Sequence, residues 1–181
     1  MTDPAQWRDL GPGIYLHIPF CRRRCGYCDF ASTTGEAAAR EAFVADLLTE
    51  IRWAAAAGDF AEETFRTIFL GGGTPSLLEG DQMSRILGGL HDSFAVAPDA
   101  EVTMEANPES LEPERLEAFL LGGGNRVSLG IQSLDNAALR HVGFLHDFKL
   151  LILEARADRL PHVALVRQGA ILLVLLRLQL L

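Results

Sequence analysis

The chain has 181 residues, with sixteen Lys plus Arg against twenty-four Asp plus Glu, for a formal net charge of −8. Hydrophobic residues make up 49% and charged residues 22%, which excludes a disordered chain and supplies the core of one ordinary domain. The acidic balance argues against a nucleic-acid-binding surface, and the length falls short of a complete eightfold β/α barrel of ~250 residues.

Met1 to Leu10 carry Asp3, Arg8 and Asp9 with no apolar core, so residues 1–12 read as a short extension and not as a signal peptide. Gly13 to Ile18 reads as a buried strand stopped by Pro19, and a Cys- and Arg-rich loop follows. Thr33 and Glu36 have the spacing of a capping box. Phe43, Val44, Leu47, Leu48, Ile51 and Ala55 then recur at helical spacing up to Gly58. Arg66 to Leu70 is the second strand, followed by Gly71-Gly72-Gly73-Thr74-Pro75-Ser76. Met83, Ile86, Leu87, Leu90 and Phe94 form the next apolar helix face. Glu101 to Glu105 is a third strand ended by Asn107-Pro108, and Pro113 suits the first turn of a third helix. Arg126 to Leu129 is a fourth strand, and Asp135 can cap a fourth helix with Leu139 and Val142.

Four βα units in a row imply an α/β fold, a parallel sheet with helices packed on it. In such sheets the loops after the strands gather the chemistry. After Gly143 the pattern changes. Residues 150–181 hold four basic and two acidic residues, are rich in Leu, and contain no fifth βα unit. This segment reads as an apolar helical tail. Its run from Ala170 to Leu181 is too short for a membrane-spanning helix of roughly 20 residues, and contact with a membrane surface through it stays open.

Cys21, Cys25 and Cys28 form C-x3-C-x2-C directly after the first strand. Three cysteines rule out a disulfide framework, and their crowding reads as metal chemistry in a reducing, cytoplasmic compartment. Thiolates suit zinc or iron–sulfur clusters, but a structural zinc site wants four protein ligands and no fourth cysteine exists. Three thiolates serve a cubane cluster and leave one iron for an exogenous ligand. Arg22, Arg23 and Arg24 would lower thiolate pKa values and suit an anionic cluster. The glycine run lets backbone approach a ligand closely, yet it lacks Walker spacing and a lysine, so phosphate binding is not implied. Glu105 and Gln132 close the third and fourth strands, at the edge where the cysteines and glycines also lie.

Taken together, Tyr15-Leu-His-Ile-Pro-Phe-Cys21, Cys25-Gly-Tyr-Cys28-Asp-Phe, Gly71-Gly-Gly-Thr-Pro-Ser76, Glu105-Ala-Asn-Pro108 and Asn125-Arg-Val-Ser-Leu-Gly-Ile-Gln132-Ser133 resemble the radical S-adenosylmethionine (SAM) enzymes. The resemblance is to the coproporphyrinogen III oxidase-like branch and covers residues 13–143, which it would make a partial (β/α) barrel of about four units. It implies a [4Fe-4S] cluster on Cys21, Cys25 and Cys28, with SAM on its open iron. Gly72, Gly73 and Thr74 would meet the methionyl end. Tyr15, Glu105 and Gln132 would contact SAM, and the Tyr27 backbone the adenine. Oxidases of the branch carry a further cysteine where Phe30 stands, and Cys28-Asp29-Phe30 resembles the branch's heme chaperones. These bind heme and pass it to an acceptor protein, which the sequence does not identify. Two departures stand out. A SAM-facing Arg of the family is replaced within Gly143-Phe144-Leu145-His146, and the family's C-terminal half is missing. A frameshift or truncated gene would explain the divergent segment 144–181 and would leave an inactive fragment.

Overall fold

The computed structural model describes residues 11–26, 28–133, 135–141, 162–168 and 171–177, the last two ranges as backbone. Strand β1 is Gly13–Ile18, helix α1 Ala37–Ala56, strand β2 Thr64–Gly72, helix α2 Gly80–Ser93, strand β3 Ala95–Ala106, helix α3 Pro113–Leu121, strand β4 Arg126–Gly130 and helix α4 Asn136–His141. Strands β5 (His162–Gln168) and β6 (Ile171–Arg177) complete a six-stranded sheet in the order β1-β2-β3-β4-β6-β5.

β1 to β4 are parallel and in sequence order, and a helix supplies each crossover that parallel neighbours need. Period-two alternation gives the sheet two unlike faces. Ile14, Leu16 and Ile18 of β1, Ile68 and Leu70 of β2, Val102, Met104 and Ala106 of β3, and Val127 and Leu129 of β4 join the core. Helices supply its other half: Val44, Leu47 and Ile51 from α1, Met83, Ile86, Leu87 and Leu90 from α2, and Phe119 from α3. The opposite face carries Tyr15, Phe69, Thr103 and Arg126 in one register row, and His17, Gly71 and Ser128 in the next, with Glu105 opposite Ser128.

The N-terminus of α2 carries a reciprocal capping box between Glu79 and Gln82, and Gln82 Nε2 also donates to Glu41 of α1 at 3.0 Å. α3 begins at Pro113, where a missing N–H costs nothing. Asp135 caps α4 by accepting the Ala137 N–H at 2.9 Å.

Three expectations need correction. The Thr33/Glu36 box does not form: Thr33 is drawn into a β-bridge with Phe20, and α1 starts after Glu36, which makes no side-chain cap. β3 begins at Ala95 and not at Glu101. Pro98 and Asp99, which interrupt the strand pattern, lie where the β2–β3 register jumps between Phe65 and Thr67, so Pro98 has no ladder bond to lose. The apolar tail is not helical over its described part. β6 pairs antiparallel with β4, and β5 with β6, joined through the two-residue connection Gly169-Ala170. Runs of Val, Ile and Leu around a two-residue connection favour a hairpin, and the exposed edge of β4 offers it a ladder. Phe144 lies outside the described residues. Among the described residues, no helix is long and apolar enough to cross a membrane.

Candidate functional site

The cysteine loop leaves β1 through Pro19 and Phe20 and is closed at its base. Cys21 N–H donates to Thr33 O at 2.9 Å, and Thr33 N–H returns to Pro19 O at 2.7 Å. Inside the loop, Cys28 N–H donates to Cys25 O at 3.1 Å, a tight turn that brings the last two cysteines together. All three thiols are free and half-buried. Arg22 and Arg23 lie 3.9 Å from Glu112 and Glu109, respectively, so the loop is flanked by charges of both signs.

The glycine loop abuts it. Gly73 N–H donates to Ile18 O and Thr74 N–H to Phe20 O, both at 2.7 Å. A Cβ on Gly73 would stand 2.6 Å from the Phe20 carbonyl oxygen, so this approach of two backbones requires glycine. Gly72 holds φ +107, a conformation that residues with side chains rarely adopt. Thr74 Oγ1 donates to Cys21 Sγ at 3.7 Å. Below the loop, Ser76 and Ser110 share a buried 2.6 Å hydrogen bond, and Asn107 N–H donates to Ser76 Oγ at 3.2 Å. That link fixes the glycine loop to the turn after β3.

Glu105 faces the same space. Its Oε2 accepts the Gly72 N–H at 3.2 Å. Burial raises its carboxyl pKa, and the Gly72 hydrogen bond only partly opposes this. Gln132 follows β4 with φ +69, the only positive φ on a non-glycine residue among the described residues. Such strain persists where the surroundings over-determine it, commonly at functional sites.

These parts line one cleft of about 360 Å³, formed by Cys21, Cys25, Cys28, Gly72, Gly73, Thr74, Glu105 and Gln132 together with flanking residues. Eight of the ten residues singled out from the sequence therefore converge. Tyr27 lies outside the described residues. Tyr15 does not line the cleft: its side chain stacks on Phe69 at 6.1 Å, and its hydroxyl pairs with His17 Nδ1 at 3.2 Å. Desolvation, then the Glu105 carboxylate, raise the Tyr15 pKa. Phe30, Glu109, Ser110 and Ser128 also line the cleft. Ser128 had a legible signal, since it pairs with Glu105 and alternates with Arg126 and Gly130 on one face of β4. Glu109 and Ser110 had none, because only the turn after β3 brings them there.

The donor set fits an iron–sulfur cluster. Three soft thiolates share a cleft whose far wall is glycine backbone, which leaves room beside them. Among the described residues, no three His, Cys, Asp or Glu side chains are gathered to hold a single ion.

The radical SAM superfamily profile matches residues 15–158. The chain is 41% identical over 159 residues to the heme chaperone HemW of Mycobacterium tuberculosis (strain CDC 1551 / Oshkosh), covering 84% of this chain and 40% of that protein. It is 41% identical over 135 residues to heme chaperone HemW of Escherichia coli (strain K12), covering 74% and 35%. The solved structure of coproporphyrinogen III oxidase (HemN) from Escherichia coli, a radical SAM enzyme, superimposes with a TM-score of 0.73 at 27% identity, over 87% of this chain and 38% of that one. The chain thus spans about two fifths or less of the length of these relatives. With its parallel βα units and its cysteine and glycine loops at one sheet edge, the chain belongs to the radical SAM superfamily.

Proposed function

We propose that Cys21, Cys25 and Cys28 hold a [4Fe-4S] cluster, that SAM occupies the adjoining cleft, and that the protein binds heme and passes it to an acceptor protein. The observation that carries the reading is the convergence of three free thiols, a backbone-lined glycine loop, a buried carboxylate and a strained Gln132 on one cleft. Bound there, the cluster would supply one-electron chemistry to the SAM sulfonium.

The chain's own residues have separate tasks in this reading. Gly72 to Thr74 present backbone at close range to the methionyl end of SAM. Glu105, desolvated and short of charge compensation, is a ready partner for its ammonium group. Gln132 holds a neutral hydrogen-bonding amide at the mouth of β4, and the Tyr27 backbone is assigned to the adenine. The cytoplasm, where thiols stay reduced, is the compartment that suits three free cysteines.

Heme as the cargo is supported by the relatives named heme chaperone and by Phe30, which lines the cleft where the branch's oxidases carry another cysteine. The likeness to HemN favours a second reading, oxidation of coproporphyrinogen III. Heme titration followed by mixing with a heme-free acceptor, run beside incubation with coproporphyrinogen III under reducing conditions with SAM, separates the two. The chaperone reading expects a shifted heme Soret band and transfer, with no porphyrinogen decarboxylation. Decarboxylation without heme binding would overturn it in favour of the oxidase.

A further inference from the structure

His17 pairs with Gly71, beside the cleft residue Gly72, without itself lining the cleft, and both of its ring nitrogens are engaged. Nε2 lies 2.8 Å from the Ala31 carbonyl oxygen, which can only accept, so Nε2 carries the proton. Nδ1 is then the acceptor for the Tyr15 hydroxyl at 3.2 Å. The ring also lies against the glycine loop: a Cβ on Gly72 would come within 2.6 Å of Nδ1. With its nitrogens engaged in this way, His17 has no lone pair to offer a metal or heme.

Ala31 sits three residues beyond Cys28, on the returning limb of the cysteine loop. The base of that loop is held by the two backbone bonds between Pro19, Cys21 and Thr33. His17 adds a third tie, which reaches the limb from the body of the sheet. The segment between carries Arg22 and Arg24, both exposed, and no other side-chain hydrogen bond from the strands reaches its returning limb among the described residues.

We infer that His17 is a positioning residue that anchors the cysteine loop to β1, and that Tyr15 acts through it by fixing the imidazole tautomer. The inference rests on the cluster reading only for its purpose, because the tie itself belongs to the metal-free chain.

The test uses the full metal-free chain and limited trypsin digestion, read as the rate of cutting after Arg22 to Arg24. His17→Phe keeps a ring over Gly72 and removes the donor. His17→Gln keeps an N–H at the Nε2 position. Loss of one net hydrogen bond opens the loop roughly two- to tenfold more often, and cutting in His17→Phe rises by that factor. His17→Gln stays near the parent. Tyr15→Phe cuts faster than the parent by a smaller factor, and adds nothing in the His17→Phe background. Cutting elsewhere and the thermal midpoint report any general loosening. Equal cutting in His17→Phe and parent would overturn the inference, as would His17→Gln cutting as fast as His17→Phe. A parallel reconstitution with iron and sulfide keeps the two claims apart. A parent that takes up no iron defeats the cluster reading, while the digestion still decides the tie. If iron is bound, its extraction by a chelator follows the same order of variants.

Discussion

Gly73→Ala puts the contact between the two loops under direct strain. The new Cβ would meet the Phe20 carbonyl oxygen at 2.6 Å, with the Phe20 and Pro19 carbonyl carbons at 2.9 Å. These are backbone atoms, so no side chain can swing aside, and the loops must part by most of an ångström. Parting stretches two 2.7 Å bonds, Gly73 N–H to Ile18 O and Thr74 N–H to Phe20 O. Each is worth about 0.5–1.5 kcal/mol net, and overpacking a tight site costs a further ~1–3 kcal/mol. Allowing for overlap between the terms, the substitution destabilises the chain by about 2–4 kcal/mol, a large share of an ordinary domain's ~5–15 kcal/mol. Gly88 is the internal control. It lies inside α2 with nothing within 4 Å of its would-be Cβ, so Gly88→Ala gains about 0.5–1 kcal/mol. Urea unfolding of parent and both variants gives the comparison. A Gly73→Ala loss below ~1 kcal/mol would refute the claim that the loops meet backbone to backbone.

Three further outcomes follow from the same geometry. The Glu105 carboxyl binds its proton more tightly folded than unfolded, so its contribution to stability is full below the ordinary carboxylate range and is lost as pH rises through the folded value. Glu105→Gln therefore gains on the parent as pH rises above the ordinary carboxylate value, read by urea midpoints, and a pH-independent difference would contradict the burial argument. Gln132 holds φ +69, so Gln132→Gly is more stable than Gln132→Ala by about 1 kcal/mol in thermal unfolding, and equal stability would mean that this backbone is not held left-handed. Val174 pairs with Leu129 of β4 on one side and Leu165 of β5 on the other, so Val174→Pro removes a ladder N–H from the middle of β6, disrupts that strand and exposes the β4 edge. Gel filtration then shows association that the parent lacks, and an unchanged elution volume would mean that β6 does not protect that edge.

What the sequence made legible follows the physics of each signal. β1 was readable from end to end because an apolar run is bounded by Gly13 and Pro19. The cysteine, glycine, Glu105 and Gln132 positions were readable because parallel topology alone sends the ends of consecutive strands to one edge. β3 was cut short because Pro98 and Asp99 look like a break, whereas the chain uses them where the register slips. Thr33 carried a capping signal that a tertiary bridge to Phe20 overrode. Tyr15 lay on a readable strand, but the pairing of its hydroxyl with His17, two residues along, is a side-chain detail that no sequence pattern encodes. The tail was read as helix because an apolar run of Leu and Val has no period of its own to decide the matter. Pairing with β4 decides it, and pairing is not local.

In the proposed function the three thiols of this cleft hold one four-iron cluster with an open corner for SAM. Anaerobic reconstitution followed by iron and sulfide analysis, with electron paramagnetic resonance of the reduced protein before and after adding SAM, tests it most directly. The expected result is about four irons per chain, loss of the cluster signal in Cys25→Ala, and a changed spectrum on adding SAM to the parent. Iron content unaltered by Cys25→Ala, or a spectrum indifferent to SAM, would contradict it.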